Sequence, residues 1–290
     1  MQGIKQVDLR EDVTPPPVLH PRNLGFAWRA ATGPFALITA EQARSYDEDG
    51  YFLFERVFTP TEMDEVADAI EPFEKAEEER LRGFKDGRHV ISKADAITFT
   101  IHLTARSDVL ARFSRHAVFR ALCHDTLGPG ARLYWDQAVY KKPGNPEEFP
   151  WHQDNGYTFI EPQQYLTCWI ALNDATLDNG CPWVVPGLHR LGTLRHEVTR
   201  LGMQCLDAPA GAVAAPARKG DIVVFSSLTP HRTGPNLTNG VRKSYILQYA
   251  PDGARAWPWG QETSVLQNDP ARQFPVGDPD QGRPGDTGRA

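Results

Sequence analysis

The chain has 290 residues, enough for one enlarged domain with a self-sufficient core, so neither disulfide staples nor a structural metal is needed for it to fold. Its formal net charge is -6, and both signs are scattered along the sequence with no sustained basic stripe, which argues against nucleic acid as a partner. The four cysteines, Cys123, Cys168, Cys181 and Cys205, have neither zinc-site spacing nor the density of a secreted scaffold. No run of about 18 uncharged apolar residues occurs, and the first residues carry charges where a signal peptide needs an apolar stretch, so a cytoplasmic protein without membrane association is expected.

Residues 1 to about 36 carry Pro15, Pro16, Pro17 and Pro21 and little periodicity, which reads as an arm, either laid over the surface or disordered. Thr39 followed by Gln42, with Gly50 after the charged run, brackets a short helix; Tyr51 to Val57 then reads as a strand. Thr59, Pro60 and Glu62 open a second helix predicted over about 60 to 82, bent at Pro72. The heavily charged stretch from Glu74 to Asp95 loses its pattern at Gly83 and Gly87, so its second half is expected to be a mobile loop. Ser107 and Asp108 begin a third helix that the apolar spacing carries to Gly128.

From about 131 to 250 the pattern changes to short β-type runs without intervening helices: Leu133 to Tyr140, Tyr165 to Leu172, Pro182 to Val185, Asp221 to Phe225, and Lys243 to Tyr249. Such a series predicts a mainly β body, closed or double-sheeted, with the earlier helices flanking it. The expected organisation is an arm over 1–36, a single domain over 37–265 with its helical part at about 37–128 and its β part at about 129–250, and a loose Gly/Pro/Asp-rich tail over 266–290.

His152 and Asp154 stand two apart in WHQDNGY. In extended backbone such residues share a face, so an imidazole and a carboxylate can meet one cation, although the pair alone reads equally well as a capped turn. His231 follows the apolar run KGDIVVFSSLTP, at a strand end that can face a barrel mouth. Two neutral imidazoles and one carboxylate form the facial triad that suits iron(II) and leaves three positions open. Arg242 lies eleven residues beyond His231, and the turn-rich GPNLTNG between them predicts a hairpin that sets the arginine beside the histidine, where a buried guanidinium would hold a carboxylate bidentately.

Taken in order, DEDGYFLFERVF, YKKPG, WHQDNGY, NGCPWVVPGLHRLG, KGDIVVF, His231 and Arg242 resemble the phytanoyl-CoA dioxygenase family of iron(II)/2-oxoglutarate oxygenases, over about residues 38 to 250. That resemblance implies a double-stranded β-helix, the jelly roll of cupin-like proteins. It implies iron ligation by His152, Asp154 and His231, with O2 and 2-oxoglutarate as co-substrates. Arg242 would grip the C5 carboxylate of 2-oxoglutarate, with Thr233, Trp169 and Gln137 lining the same pocket. Asn155, Tyr157, His189 and Arg190 are candidate substrate contacts; Trp151 reads as either contact or wall, and His102 as an ordinary strand residue. Where many relatives read Pro-Gly-Ser-His, this chain has Leu188, an apolar residue expected near the pocket rim. Halogenating relatives replace the carboxylate ligand with a small residue; Asp154 is present, so hydroxylation of a C–H bond with release of succinate and CO2 is expected.

A metal-dependent hydrolase or isomerase on the same barrel, or a barrel that binds a small molecule without turnover, are the competing functions, and Arg242 with all three ligands present speaks against both. No basic cluster suits a CoA thioester, which points to a compact metabolite or natural-product intermediate as substrate. Oligomeric state is left open by the sequence.

Overall fold

The structure, a computed structural model, describes residues 16–277. Four helices precede and flank the sheets: α1 (Ala40–Glu48), α2 (Pro60–Arg82), α3 (Asp108–Phe113) and α4 (Ala117–Leu127). Thr39 and Thr59 each accept from the backbone N–H three residues on, while Gln42 and Glu62 reach back, so both predicted capping boxes form. The second helix runs unbroken through Pro72 to Arg82. The predicted third helix is two: Ser114 to His116 interrupt it, and the His116 ring caps the second piece through the amide of Val118.

Nine strands build the body: β1 (Tyr51–Phe54), β2 (Ile97–Ile101), β3 (Ala131–Lys141), β4 (Phe149–His152), β5 (Leu166–Ala171), β6 (Pro182–Val184), β7 (Ile222–Ser226), β8 (His231–Thr233) and β9 (Arg242–Pro251). The large sheet runs β1-β7-β5-β9-β3-β2 and continues into the hairpin of Arg88–His89 and Ser92–Lys93. The small sheet runs β6-β8-β4, with Val213–Ala214 at its other edge. All pairings between these strands are antiparallel, which gives the double-stranded β-helix expected of the family resemblance.

Period-two alternation decides what each face of the large sheet does. Leu166, Cys168 and Ile170, with Ile222, Val224, Tyr245, Leu247 and Tyr249, point outward and pack under the helices against Tyr46, Met63, Val66, Ile70, Phe119 and Leu122. Each of these buried side chains contributes on the order of 1.5–3 kcal/mol by leaving water. The alternate residues, Val139, Trp169, Ala171, Val223, Phe225 and Ile246, turn inward and form a second core with Phe149 and Ile97. Strands covered on both faces read as nearly continuous apolar runs, which is why IVVFS and LTCWIA stand out in the sequence.

The connection from β8 to β9 departs from expectation. β8 pairs with β4 and β6 in the small sheet, whereas β9 pairs with β3 and β5 in the large one, so His231 and Arg242 are not hairpin neighbours. The stretch between them carries the chain from one sheet to the other, fastened by Asn236, whose amide donates to the carbonyls of Lys141 and Gly240. The two residues face the same interior from opposite walls.

Residues 16–36 run across the surface. Leu19 bridges to Leu194, Asn23 donates to the carbonyls of Leu191 and Thr193, and the amides of Ala36, Leu37 and Ile38 converge on the Asp125 carboxylate. The expected tail is fixed at its start: Phe274 and Val276 are buried, and the backbones of Phe274 and Val276 pair with Leu133 and Ala131. The rest of that segment, 278–290, and residues 1–15 lie outside the described residues.

Candidate metal and co-substrate site

His152 ends β4 and His231 begins β8, and the antiparallel register sets the two directly opposite, with ring centroids 4.1 Å apart. Asp154 opens a single helical turn, Asp154–Tyr157, after one extended residue. Its Oδ1 lies 3.9 Å from Nε2 of His152 and 3.7 Å from Nε2 of His231. Among the described residues this trio is the one cluster of His, Cys, Asp or Glu that could hold a metal ion.

Tautomers follow from the acceptors. Nδ1 of His152 sits 2.8 Å from the Pro150 carbonyl, and Nδ1 of His231 sits 3.0 Å from that of Thr229. A carbonyl can only accept, so both Nδ1 atoms carry the hydrogen and both Nε2 atoms present lone pairs inward. Burial pushes the His152 pKa down to about 3, helped by the neighbouring His231, and that of His231 down to about 4, so both are neutral ligands at pH 7. Burial raises the Asp154 pKa; His152 and the Thr167 hydroxyl, which donates to Oδ2 at 2.6 Å, pull it back.

The turn that carries Asp154 is tied down from behind. The Gln153 side chain donates to the carbonyls of Gly192 and Leu228 and accepts from the Leu194 amide, while the Gln153 amide donates to Nε2 of His196. Gly156 lies so close that a Cβ there would sit 2.0 Å from the His196 ring, which explains the glycine in WHQDNGY.

His152, Asp154 and His231 line a cavity of about 680 Å³ between the two sheets, and Arg242, Thr233, Trp169, Gln137 and Tyr157 line it with them. Arg242 is fully buried and its guanidinium stands 5.3 Å from the Trp169 ring. Nη1 donates to Ser244 Oγ at 2.5 Å and to the Val139 carbonyl at 3.3 Å, but Nε and Nη2 have no partner. Burial brings its pKa down to about 10, so it is a cation at neutral pH. A buried guanidinium with two idle donors is costly unless an anion meets them, and a donor set of two imidazoles and a carboxylate fits iron(II).

Other expected contacts lie elsewhere. Asn155 is fully buried behind the turn, accepting from the Ile160 amide and donating to Thr193 Oγ1. His189 packs against Trp28 with Nε2 on the Asp47 carbonyl, and Arg190 pairs with the Asp47 carboxylate, so both serve the α1 end and not the cavity. Leu188 and Trp151 belong to a separate apolar cluster with Val185, Leu194 and Leu206, so Leu188 is not on the rim. His102 lies one residue past β2 in a left-handed conformation against Trp135. Sequence reasoning passed over Thr167 and Ser244, although each stands two residues from a named position on the same strand face.

Comparison with known proteins adds the family. The profile described as phytanoyl-CoA dioxygenase (PhyH) matches residues 46–244. The chain belongs to the phytanoyl-CoA dioxygenase family. It is an iron(II)- and 2-oxoglutarate-dependent oxygenase, and His152, Asp154 and His231 form a cluster that could hold the metal. Among relatives, a probable phytanoyl-CoA dioxygenase of Caenorhabditis elegans is 28% identical over 246 residues, covering 75% of this chain and 77% of its own. Two crystal structures share the fold. One is the non-heme alpha ketoglutarate dependent carbocyclase SnoK from nogalamycin biosynthesis, with a TM-score of 0.68 at 21% identity, covering 84% of this chain and all of that one. The other is EctD from S. alaskensis with 2-oxoglutarate and 5-hydroxyectoine, with a TM-score of 0.63 at 24% identity over 86% and 87% of the two chains.

Proposed function

We propose that this oxygenase hydroxylates a C–H bond of a compact metabolite or natural-product intermediate, with His152, Asp154 and His231 as iron ligands and Arg242 as the anchor for the far carboxylate of 2-oxoglutarate. The observation that carries this is the convergence of three metal donors and a buried guanidinium with two idle N–H groups on one cavity. The hydrolase and plain-binding readings do not by themselves call for an anion at those two N–H groups.

When bound, the iron and the keto acid supply the oxidising equivalent from O2, with succinate and CO2 released. The chain's own side chains do the positioning. The carbonyls of Pro150 and Thr229 fix both imidazoles in the ligating tautomer, and Thr167 holds the carboxylate rotamer. Trp169 and Ser244 fix the guanidinium, and Thr233 lines the wall beside it. Phe99, Phe149, Tyr157 and Ile246 keep water from the reacting carbon and select a substrate whose reacting part is apolar. A small-molecule substrate suits a cavity of this size. Four free cysteines support a reducing compartment, the cytoplasm, as its setting.

Anaerobic metal titration and succinate release against a panel of small-molecule substrates test the assignment. Asp154→Ala is expected to weaken iron binding, and Arg242→Ala to raise the 2-oxoglutarate requirement with iron binding retained. Undiminished affinity for iron in the first variant and for 2-oxoglutarate in the second would refute these roles.

A further inference from the structure

Behind the cavity wall lies a second buried basic side chain that the proposed chemistry has not used. Lys141, the last residue of β3, is fully buried and stands directly opposite Arg242 in the β3–β9 ladder, so both side chains leave the same face of the sheet. Its Nζ shares its hydrogens among four acceptors: Thr233 Oγ1 at 3.2 Å, the carbonyls of Thr233 and Glu147 at 3.3 and 3.4 Å, and the carbonyl of Gly234. Every one of these acceptors is neutral. The Glu147 carboxylate is engaged by Arg88 and Arg200.

The slot that admits this side chain is narrow. Gly180 borders it: at its φ of +92° a Cβ would meet the Gly234 carbonyl at 2.6 Å and crowd the Lys141 stem at 3.2 Å. Burial, and then the charge of Arg242, push the Lys141 pKa well down. Two basic groups on adjacent strands without a buried counter-charge disfavour the protonated lysine, and an anion seated beside them would favour it again. Their presence calls for an anion with more than one negative contact.

The hydroxyl of Thr233 connects the lysine to the cavity. An ammonium only donates, so Oγ1 accepts from Nζ and keeps its own hydrogen to give. No acceptor among the described residues takes that hydrogen, and Thr233 lines the cavity together with Arg242.

We infer that Lys141 is a positioning residue for the far carboxylate of the co-substrate: it polarises and orients the Thr233 hydroxyl toward the anion and adds buried positive charge beside Arg242. This rests on the assignment of Arg242 to that carboxylate. The consequence is selectivity for a dianionic keto acid over a monoanionic one of similar length.

Anaerobic calorimetry on the Ni(II)-loaded protein tests it, with 2-oxoglutarate and 2-oxopentanoate, which lacks the far carboxylate, as the two ligands. Lys141→Met should weaken 2-oxoglutarate on the order of 10- to 100-fold, the weight of one or two charge-assisted hydrogen bonds, and leave 2-oxopentanoate within about twofold. Thr233→Val should shift the same ratio in the same direction. Should Lys141→Met not fold, Lys141→Gln removes the charge while keeping donors in the slot and gives the same read-out. Unchanged 2-oxoglutarate binding in a folded Lys141 variant, or equal losses for both ligands, overturns the inference. If Arg242→Met also leaves 2-oxoglutarate binding intact, the fault lies instead with the anchor assignment.

Discussion

Thr167 donates its hydroxyl to Oδ2 of Asp154 at 2.6 Å, from a strand of the large sheet to a turn that belongs to the small one. This contact leaves Oδ1 facing the two imidazoles. Thr167→Val keeps the shape and removes the donor, so it should lower metal affinity roughly 10- to 100-fold while the fold persists. Titration of Fe(II) or Mn(II) into the metal-free protein measures this, and an affinity equal to wild type would show that the carboxylate needs no such support.

Gly156→Ala makes a steric test of the same turn. The added methyl would lie 2.0 Å from the His196 ring, whose nitrogens are already committed to the Gln153 amide and the Leu194 carbonyl. The ring cannot swing away without breaking both bonds. A loss of about 1–3 kcal/mol in unfolding free energy, with metal affinity falling alongside, is expected from denaturant melts.

For Asn155 the expected change is in stability and not in substrate handling. Asn155→Ala strands the Ile160 amide in a buried place and takes a donor from Thr193 Oγ1, which keeps its bond to Gln163, at about 1–3 kcal/mol. Substrate KM in the surviving folded enzyme should match wild type; a selective rise in that KM would restore it as a substrate contact.

Acid should weaken the metal-free protein. The native pKa of His152 is pushed down to about 3 and those of His231, His189 and His196 to about 4, all chiefly by burial, against about 6.5 for an unfolded chain. Between those values the unfolded state binds more protons, so stability falls as pH falls from about 6.5 toward 4. Asp154, whose native pKa is raised, opposes this by taking up a proton in the folded state. One neutral buried histidine alone accounts for about 2 kcal/mol between pH 7 and 5, so urea midpoints should drop clearly over that interval. Equal midpoints at the two pH values would contradict the neutral, buried state of these rings.

What the sequence disclosed follows how local each determinant is. Capping boxes at Thr39 and Thr59, and the double-faced apolar runs of β5 and β7, are written in adjacent residues, and they form as expected. The His152–Asp154 pair and His231 were legible through spacing and through order along the chain. The path from His231 to Arg242 was not: a turn-rich connection serves a hairpin and a sheet crossing alike, and the choice is made by Asn236 gripping Lys141, 95 positions away. His189 and Arg190 misled for a similar reason, since the residue they serve, Asp47, lies 142 and 143 positions away. Lys141 went unremarked inside YKKPG because nothing local distinguishes a lysine bound for the interior from one bound for water.

With His152 and His231 on one wall of the sandwich and Arg242 on the other, a keto acid held as proposed would be a rung joining the two sheets. If the proposed seating holds, loading the enzyme would do more than supply a reagent: it would fasten the two walls to each other at the depth of the site.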